Sequence, residues 1–270
     1  MDYVEKPLLI ASDVDGTLLD VTETITARTK DVVGRVIATG TPFLLVSGRP
    51  PRWITPIADM AELNGYAVCA NGAVLYDIRE DTVVSAETLD PVLLKNIADT
   101  VKDLLPGSVV AVERLPHNGI DETFVCEPEY ASPWGDTKIA ESSLAEAVGQ
   151  PGVKMLIRHR GMTSDEMARA VVPVLADAVS ITYSTNQGLL EFAKKDVTKA
   201  TGLAKAAELF GVARADVVAF GDMPNDIPML GWAGHGVAMS NAHPDVLAVA
   251  DEVTATNSDD GVAQVLERWF

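Results

Sequence analysis

The chain has 270 residues, 47% of them apolar, enough to bury a sizeable core in one large domain or two smaller ones and to exclude overall disorder. Its formal net charge of −18 works against binding a nucleic-acid backbone or an anionic membrane surface, because those partners require clustered Lys and Arg. No apolar run approaches the roughly 18 residues of a membrane span, and the start MDYVEKPLL lacks the basic and long apolar segments of a secretion signal, so a soluble, cytoplasmic chain is expected.

In chain order, the apolar run PLLIASD ends on Asp13, and the sequence continues Val14, Asp15, Gly16, Thr17. A helical pattern follows, with Val32, Val33, Val36 and Ile37 on one face before Gly40. The next strand-like runs are PFLLVSG, ending at Ser47, and YAVCANG, ending at Asn71. Cys69 in the latter and Cys126 further on form no CxxC or Cys/His cluster, which favours buried free thiols over a disulfide or zinc site. From about Val83 to Asn186 strands (SVVAVER, TFVCE, VKMLIRHR, SITYST) alternate with helical stretches near Pro91 to Leu105, Thr137 to Val148 and Ser164 to Ala178. Helix-like residues Leu203, Ala207 and Phe210 then precede Gly211, and the runs DVVAFGD and GHGVAM close the series. Near-continuous apolar strands separated by helices predict an α/β fold: a doubly wound, Rossmann-like parallel sheet built from residues 1–82 and 187–270, with an αβ domain inserted over residues 83–186. Ligands of such sheets bind beyond the carboxyl ends of the strands, so Asp13, Ser47, Asn71 and Asp222 are expected on one rim.

The chemistry-bearing residues gather at those ends. An isolated DxDG reads equally well as an acidic turn, and Asp222, Asn225 and Asp226 in FGDMPND read alone as a helix cap. Taken together, hard oxygen donors at two strand ends suit Mg²⁺, which accepts one or two carboxylates and completes its shell with water and phosphate. In LLVSGRPP, Ser47 brings a hydroxyl, Gly48 permits close approach to the backbone, and Arg49 offers a bidentate phosphate or substrate contact. Lys199 sits where a helix begins, a place the helix dipole makes unfavourable for a cation unless a phosphate or an aspartate cluster lies nearby; the alternative is a solvated lysine beside Lys194 and Lys195.

The order Asp13-Val14-Asp15-Gly16-Thr17, Ser47-Gly48-Arg49, Lys199, then Gly221-Asp222 with Asn225-Asp226 resembles the four motifs of the haloacid dehalogenase superfamily across essentially the whole chain. The large insertion after the second motif, Asn71-Gly72-Ala73 before it, and Met239-Ser240-Asn241-Ala242 after the fourth resemble the Cof-type (IIB) branch, whose members are mostly Mg²⁺-dependent phosphatases of sugar phosphates and related small metabolites. Ala200 departs from the Gly that commonly follows the motif lysine in that branch.

The resemblance implies that Asp13 is the nucleophile and that Asp15 protonates the leaving oxygen and later activates water. It further implies that Asp13, the Asp15 carbonyl, Asp222 and Asp226 hold Mg²⁺, while Val14, Ser47, Gly48, Arg49, Lys199 and Asn225 bind phosphate or substrate. The inserted domain would act as a lid. Within it, Arg158 and Arg160 are candidates for a substrate-facing side of VKMLIRHRG, with exposed charges on an edge strand as the alternative. His117, Asn118, Trp134 and the stretch STNQGLLEF are further candidates for lining a cleft. The leading expectation is hydrolysis of a small phosphorylated metabolite, with no nucleic-acid, membrane or protein partner implied. A phosphotransferase or phosphomutase would use the same aspartyl phosphate, and a non-enzymatic phospho-accepting or ligand-sensing protein would retain the acidic rim.

Overall fold

Short apolar runs with no polar face need cover on both sides, and such runs make the centre of the larger sheet. In the computed structural model, which describes residues 5–116, 123–130 and 140–270, β1 (Leu9–Ser12) and β2 (Phe43–Val46) are buried at every position, and β3 (Tyr66–Cys69) at all but its first. Between β1 and β2 runs helix α1 (Ala27–Ala38), started by the Thr26 hydroxyl accepting the Thr29 N–H, with Val32, Val33 and Val36 buried. Helix α2 (Thr55–Ala61) joins β2 to β3. The chain then makes β4 (Val74–Asp77) and an exposed edge strand, β5 (Thr82–Ala86).

A second unit spans Ala86–Val197, the first being Met1–Ser85 with Thr198–Phe270. The second unit contains helix α3 (Pro91–Leu104), strands β6 (Val109–Glu113), β7 (Phe124–Cys126) and β8 (Ala140–Glu141), the short helix α4 (Leu144–Ala147), β9 (Lys154–Arg158), helix α5 (Ser164–Leu175), β10 (Val179–Thr182) and β11 (Leu189–Lys194). Its strands form one sheet of order β10-β11-β9-β6-β7-β8 among the described residues. The return to the first unit therefore falls at Thr198 and not at 187, because β11 pairs antiparallel with β9 and β10. β9 lies between β11 and β6, so the edge-strand reading of VKMLIRHR does not hold. Of the helical stretch expected from Thr137, only Leu144–Ala147 is helical among the described residues, started by a reciprocal Ser143–Glu146 cap.

The first unit resumes with α6 (Lys199–Phe210), β12 (Val217–Gly221), helix α7 (Ile227–Trp232), β13 (His235–Ala238) and β14 (Glu252–Val253). Its sheet runs β14-β13-β12-β1-β2-β3-β4-β5. Pairing is parallel from β14 to β3 and antiparallel between β3 and β4, so a hairpin is added to one side of the expected parallel sheet. The chain winds outward from β1 through β2 and β3, then returns to the other side of β1 as β12; β1 and its neighbours are the switch point of the sheet. Register aligns the strand ends there: Ser12 faces Phe220 on one side and Leu45 on the other, and Val46 faces Val68. Asp13, Ser47, Asn71 and Asp222 emerge together from those ends. No helix among the described residues is long and apolar enough to cross a membrane, and both cysteines are buried free thiols.

Candidate active site

After β1 the chain makes one wide turn, Val14–Leu18, closed by the Leu19 N–H donating to the Val14 carbonyl (2.9 Å). Gly16 takes φ +76°, and a Cβ there would lie 2.4 Å from Asp222 Oδ2, so this position demands glycine for both torsion and space. The turn is pinned from outside by Asn241, whose Nδ2 donates to the Gly16 carbonyl (2.9 Å), and by Asn257, whose Nδ2 donates to the Leu19 carbonyl (2.8 Å). Asp13 is buried and anchored by its N–H to the Phe220 carbonyl (3.0 Å).

Lys199 is the first residue of α6, fully buried, and its Nζ donates to Asp13 Oδ1 (2.5 Å) and Asp226 Oδ1 (2.6 Å). The solvated-lysine alternative is thereby excluded. Burial alone would lower the lysine's pKa; the Asp13 and Asp226 carboxylates more than reverse this and hold it above its ordinary value. Two glycines let the start of α6 approach this closely: a Cβ on Gly72 would meet the Thr198 carbonyl at 1.9 Å, and one on Gly202 would meet Val68 Cγ1 at 2.4 Å and Gly72 Cα at 2.7 Å.

Following β12, Asp226 Oδ2 accepts the Asp222 and Met223 N–H groups (both 3.0 Å), so this carboxylate caps its own turn with one oxygen and holds Lys199 with the other. Asp226 therefore closes the short helical turn from its third position, bonding back to the turn's first N–H, and also belongs to the buried acidic group. Asp222 Oδ1 accepts the Thr17 hydroxyl (3.0 Å). Asp13, Asp222 and Asp226 each present an oxygen within 4.8 Å of the others, all three buried. Burial first, then the neighbouring carboxylates, pushes Asp13 well above the usual carboxyl range despite Lys199; burial and Asp226 push Asp222 up to about 7, against the hydrogen bond from Thr17 and the charge of Lys199.

Ser47 is buried at the end of β2, and its carbonyl accepts the Asn71 N–H (3.0 Å). Asn71 adopts the left-handed conformation (φ 56°) directly after Ala70 (φ 50°), and its Oδ1 accepts from Asn225 Nδ2 (3.1 Å), while Asn225 Oδ1 is buried with no hydrogen-bond partner among the described residues. Arg49 makes a fork on Asp15: Nε to Oδ2 (2.9 Å) and NH2 to Oδ1 (2.5 Å). Val14 and Gly48 lie on the same rim, at the starts of their loops.

The structure thus brings together Asp13, Val14, Asp15, Ser47, Gly48, Arg49, Lys199, Asp222, Asn225 and Asp226, with Arg49 on a carboxylate. Sequence reading missed Thr17, although DxDGT quotes it, and left Asn71 and Gly202 without a role. Elsewhere, Arg158 NH2 reaches the Gln187 carbonyl (3.3 Å) from the end of β9, and Arg160, past the strand, reaches the Glu129 carbonyl (3.4 Å). The stretch STNQGLLEF belongs to the second unit's sheet, where Glu191 accepts from Ser184 (2.5 Å) and pairs with the buried Lys154 (3.2 Å). His117, Asn118 and Trp134 lie outside the described residues.

The sequence pattern of the haloacid dehalogenase-like hydrolases matches residues 10–266. The chain belongs to that family. It is 30% identical over 269 residues to the 5-amino-6-(5-phospho-D-ribitylamino)uracil phosphatase YitU of Bacillus subtilis, covering 98% of each chain. With the pyridoxal phosphate phosphatase YbhA of Escherichia coli it shares 28% identity over 266 residues, covering 96% of this chain and 97% of the other. Among solved structures, a haloacid dehalogenase-like hydrolase from Bacteroides thetaiotaomicron superposes with a TM-score of 0.75 at 27% identity, covering 97% and 99% of the two chains. The subclass IIB sugar phosphatase BT4131 superposes at 0.81 and 24% identity, over 97% and 98%, and shares the fold.

Proposed function

We propose that this hydrolase is a Mg²⁺-dependent phosphomonoesterase acting on small phosphorylated metabolites through an aspartyl phosphate on Asp13. The observation that carries the reading is the buried cluster in which a single ammonium, Lys199, serves Asp13 and Asp226 beside Asp222. Three carboxylates with one cation leave a deficit of positive charge, and hard oxygen donors in that arrangement fit a divalent ion of the Mg²⁺ type. An Asp13 oxygen, the Asp15 carbonyl and Asp222 would hold it; Asp226, with one oxygen on Lys199 and the other on two backbone amides, would act chiefly by orienting the set. A bound Mg²⁺ supplies charge neutralisation between an anionic nucleophile and an anionic phosphate.

The remaining chemistry belongs to the side chains. Asp13 attacks phosphorus and the bond to the leaving oxygen breaks, while Asp15 donates a proton to that oxygen. Asp15 then takes a proton from the water that attacks the aspartyl phosphate, releasing inorganic phosphate and restoring Asp13. The Ser47 hydroxyl, the Val14 and Gly48 amides, Lys199 and Asn225 would hold the transferring oxygens, the positioning and charge stabilisation on which phosphoryl transfer chiefly depends. The relatives named for activity on a phosphorylated ribitylaminouracil and on pyridoxal phosphate support the small-metabolite class. A panel of sugar phosphates, nucleotides, flavin mononucleotide and pyridoxal phosphate tests it: phosphate release should require Mg²⁺, stop with EDTA and be absent in Asp13→Asn. Full activity in folded Asp13→Asn would refute the reading.

A further inference from the structure

Arg49 occupies an unexpected position for a phosphate-binding residue. Its backbone N–H donates to Ser47 Oγ (3.1 Å) and its carbonyl accepts the Ala70 N–H (2.9 Å), which fixes its main chain on the rim beside the phosphate-binding hydroxyl. Its guanidinium, however, takes both oxygens of Asp15. A carboxylate with both oxygens in an arginine fork cannot hand a proton to a leaving group. The same fork engaged there cannot bind phosphate, so the two roles assigned to these residues are mutually blocked in this arrangement.

Both conflicts disappear if one event relieves them. We propose that Arg49 is an exchange latch: its fork holds Asp15 until the oxygens of a phosphate take the guanidinium, and that exchange releases Asp15 to act on the leaving oxygen. Carboxylate and phosphate both fit the planar fork through paired charge-assisted hydrogen bonds, so the exchange replaces like with like. The pair is also easy to break, because the Asp15 side chain is 51% exposed and water competes for it. Arg49 is only 19% exposed and stays seated. Freeing the proton donor is thereby tied to arrival of the phosphate, and departure of product returns the fork to Asp15. Arg49 is on this account a positioning residue for Asp15 as well as a ligand for substrate.

The inference rests on the phosphatase reading, and the test separates the two. Inorganic phosphate is titrated calorimetrically, with Mg²⁺ at neutral pH, into the wild type, Asp15→Asn, Arg49→Gln and the double variant, with Asp15→Ala as a second way to vacate the fork. With Arg49 present, Asp15→Asn and Asp15→Ala should each tighten phosphate about twofold to fivefold, the range expected for freeing a partly exposed ion-pair partner. In the Arg49→Gln background the same change should have almost no effect. An equal gain in both backgrounds means simple removal of negative charge and overturns the latch, as does no gain with Arg49 present; in either case wild-type phosphate binding leaves the phosphatase reading standing. Phosphate binding by none of the proteins overturns both.

Discussion

Lys199 Nζ lies 2.5 Å from Asp13 Oδ1, joining residues 186 apart in sequence with the lysine wholly out of solvent. The pair works as a triad with Asp226, and removing the ammonium leaves two buried carboxylates facing each other. Breaking one side of a buried pair costs about 3–5 kcal/mol, so Lys199→Met should lower unfolding stability by that order at pH 8 and abolish turnover. At pH 5 the loss should shrink, because the orphaned carboxyls can take up protons. Denaturant unfolding at the two pH values checks this; equal stability to wild type at pH 8 would mean the cluster is solvated in solution.

Stability of the metal-free protein should fall as pH rises towards and through 7. Asp222, ordinarily near 3.8, is raised to about 7 by burial and by Asp226, and Asp13 is raised as well. A raised carboxyl means the folded state binds more protons than the unfolded chain between those limits, so stability is greatest at the acid end of the window and declines across it. Carboxylates lowered in the fold, such as Glu252 held by Arg268 and Glu166 bonded to the Thr163 N–H, act in the opposite sense, only as pH falls into the ordinary carboxyl range. In EDTA the melting temperature should therefore drop from pH 5 to pH 8, and Mg²⁺ should restore more at pH 8 than at pH 5. Asp222→Asn should flatten the profile; an unchanged slope in that variant would show that general charge repulsion is responsible.

Gly16→Ala places a methyl where Asp222 Oδ2 stands and forces φ +76° on a residue that disfavours it. The strain, of order 1–3 kcal/mol, should be relieved by moving Asp222 away from Thr17. Mg²⁺ affinity, measured by calorimetry, should fall by about tenfold or more, consistent with a displaced ligand. Wild-type Mg²⁺ affinity would place the cation elsewhere.

Asn71 combines left-handed backbone with a side chain that receives the Asn225 amide. Asn71→Gly keeps the backbone preference and loses the side chain; Asn71→Ala loses both. Both should lower kcat through a misplaced Asn225, by about tenfold for one lost positioning hydrogen bond, and Asn71→Ala should also melt at a lower temperature. Should Asn71→Gly retain full kcat, the residue serves the turn alone.

Much of this site was legible because it is local. Asp13, Ser47 and Asp222 end apolar runs, and parallel pairing carries such ends to one rim without further information. Lys199 was suspect for standing where a helix dipole disfavours a cation. The partners were not legible: Thr17 with Asp222, Asn225 with Asn71 and Arg49 with Asp15 are contacts between distant segments, set by how strand ends are juxtaposed. The return to the first unit was misplaced for the same reason. β11 is buried at five of its six positions, as a central strand of either sheet would be, and its pairing with β9 and β10 decides between them.

The division of labour between Asp13 and Asp15 is tested most directly by mass-spectrometric detection of a phosphoryl group on the protein after rapid quenching with a turned-over substrate. Asp15→Asn should carry the group on the peptide containing Asp13 and release it slowly, whereas Asp13→Asn should carry none. Phosphate release by folded Asp13→Asn at the wild-type rate, or identical behaviour of the two variants at both steps, would contradict the account.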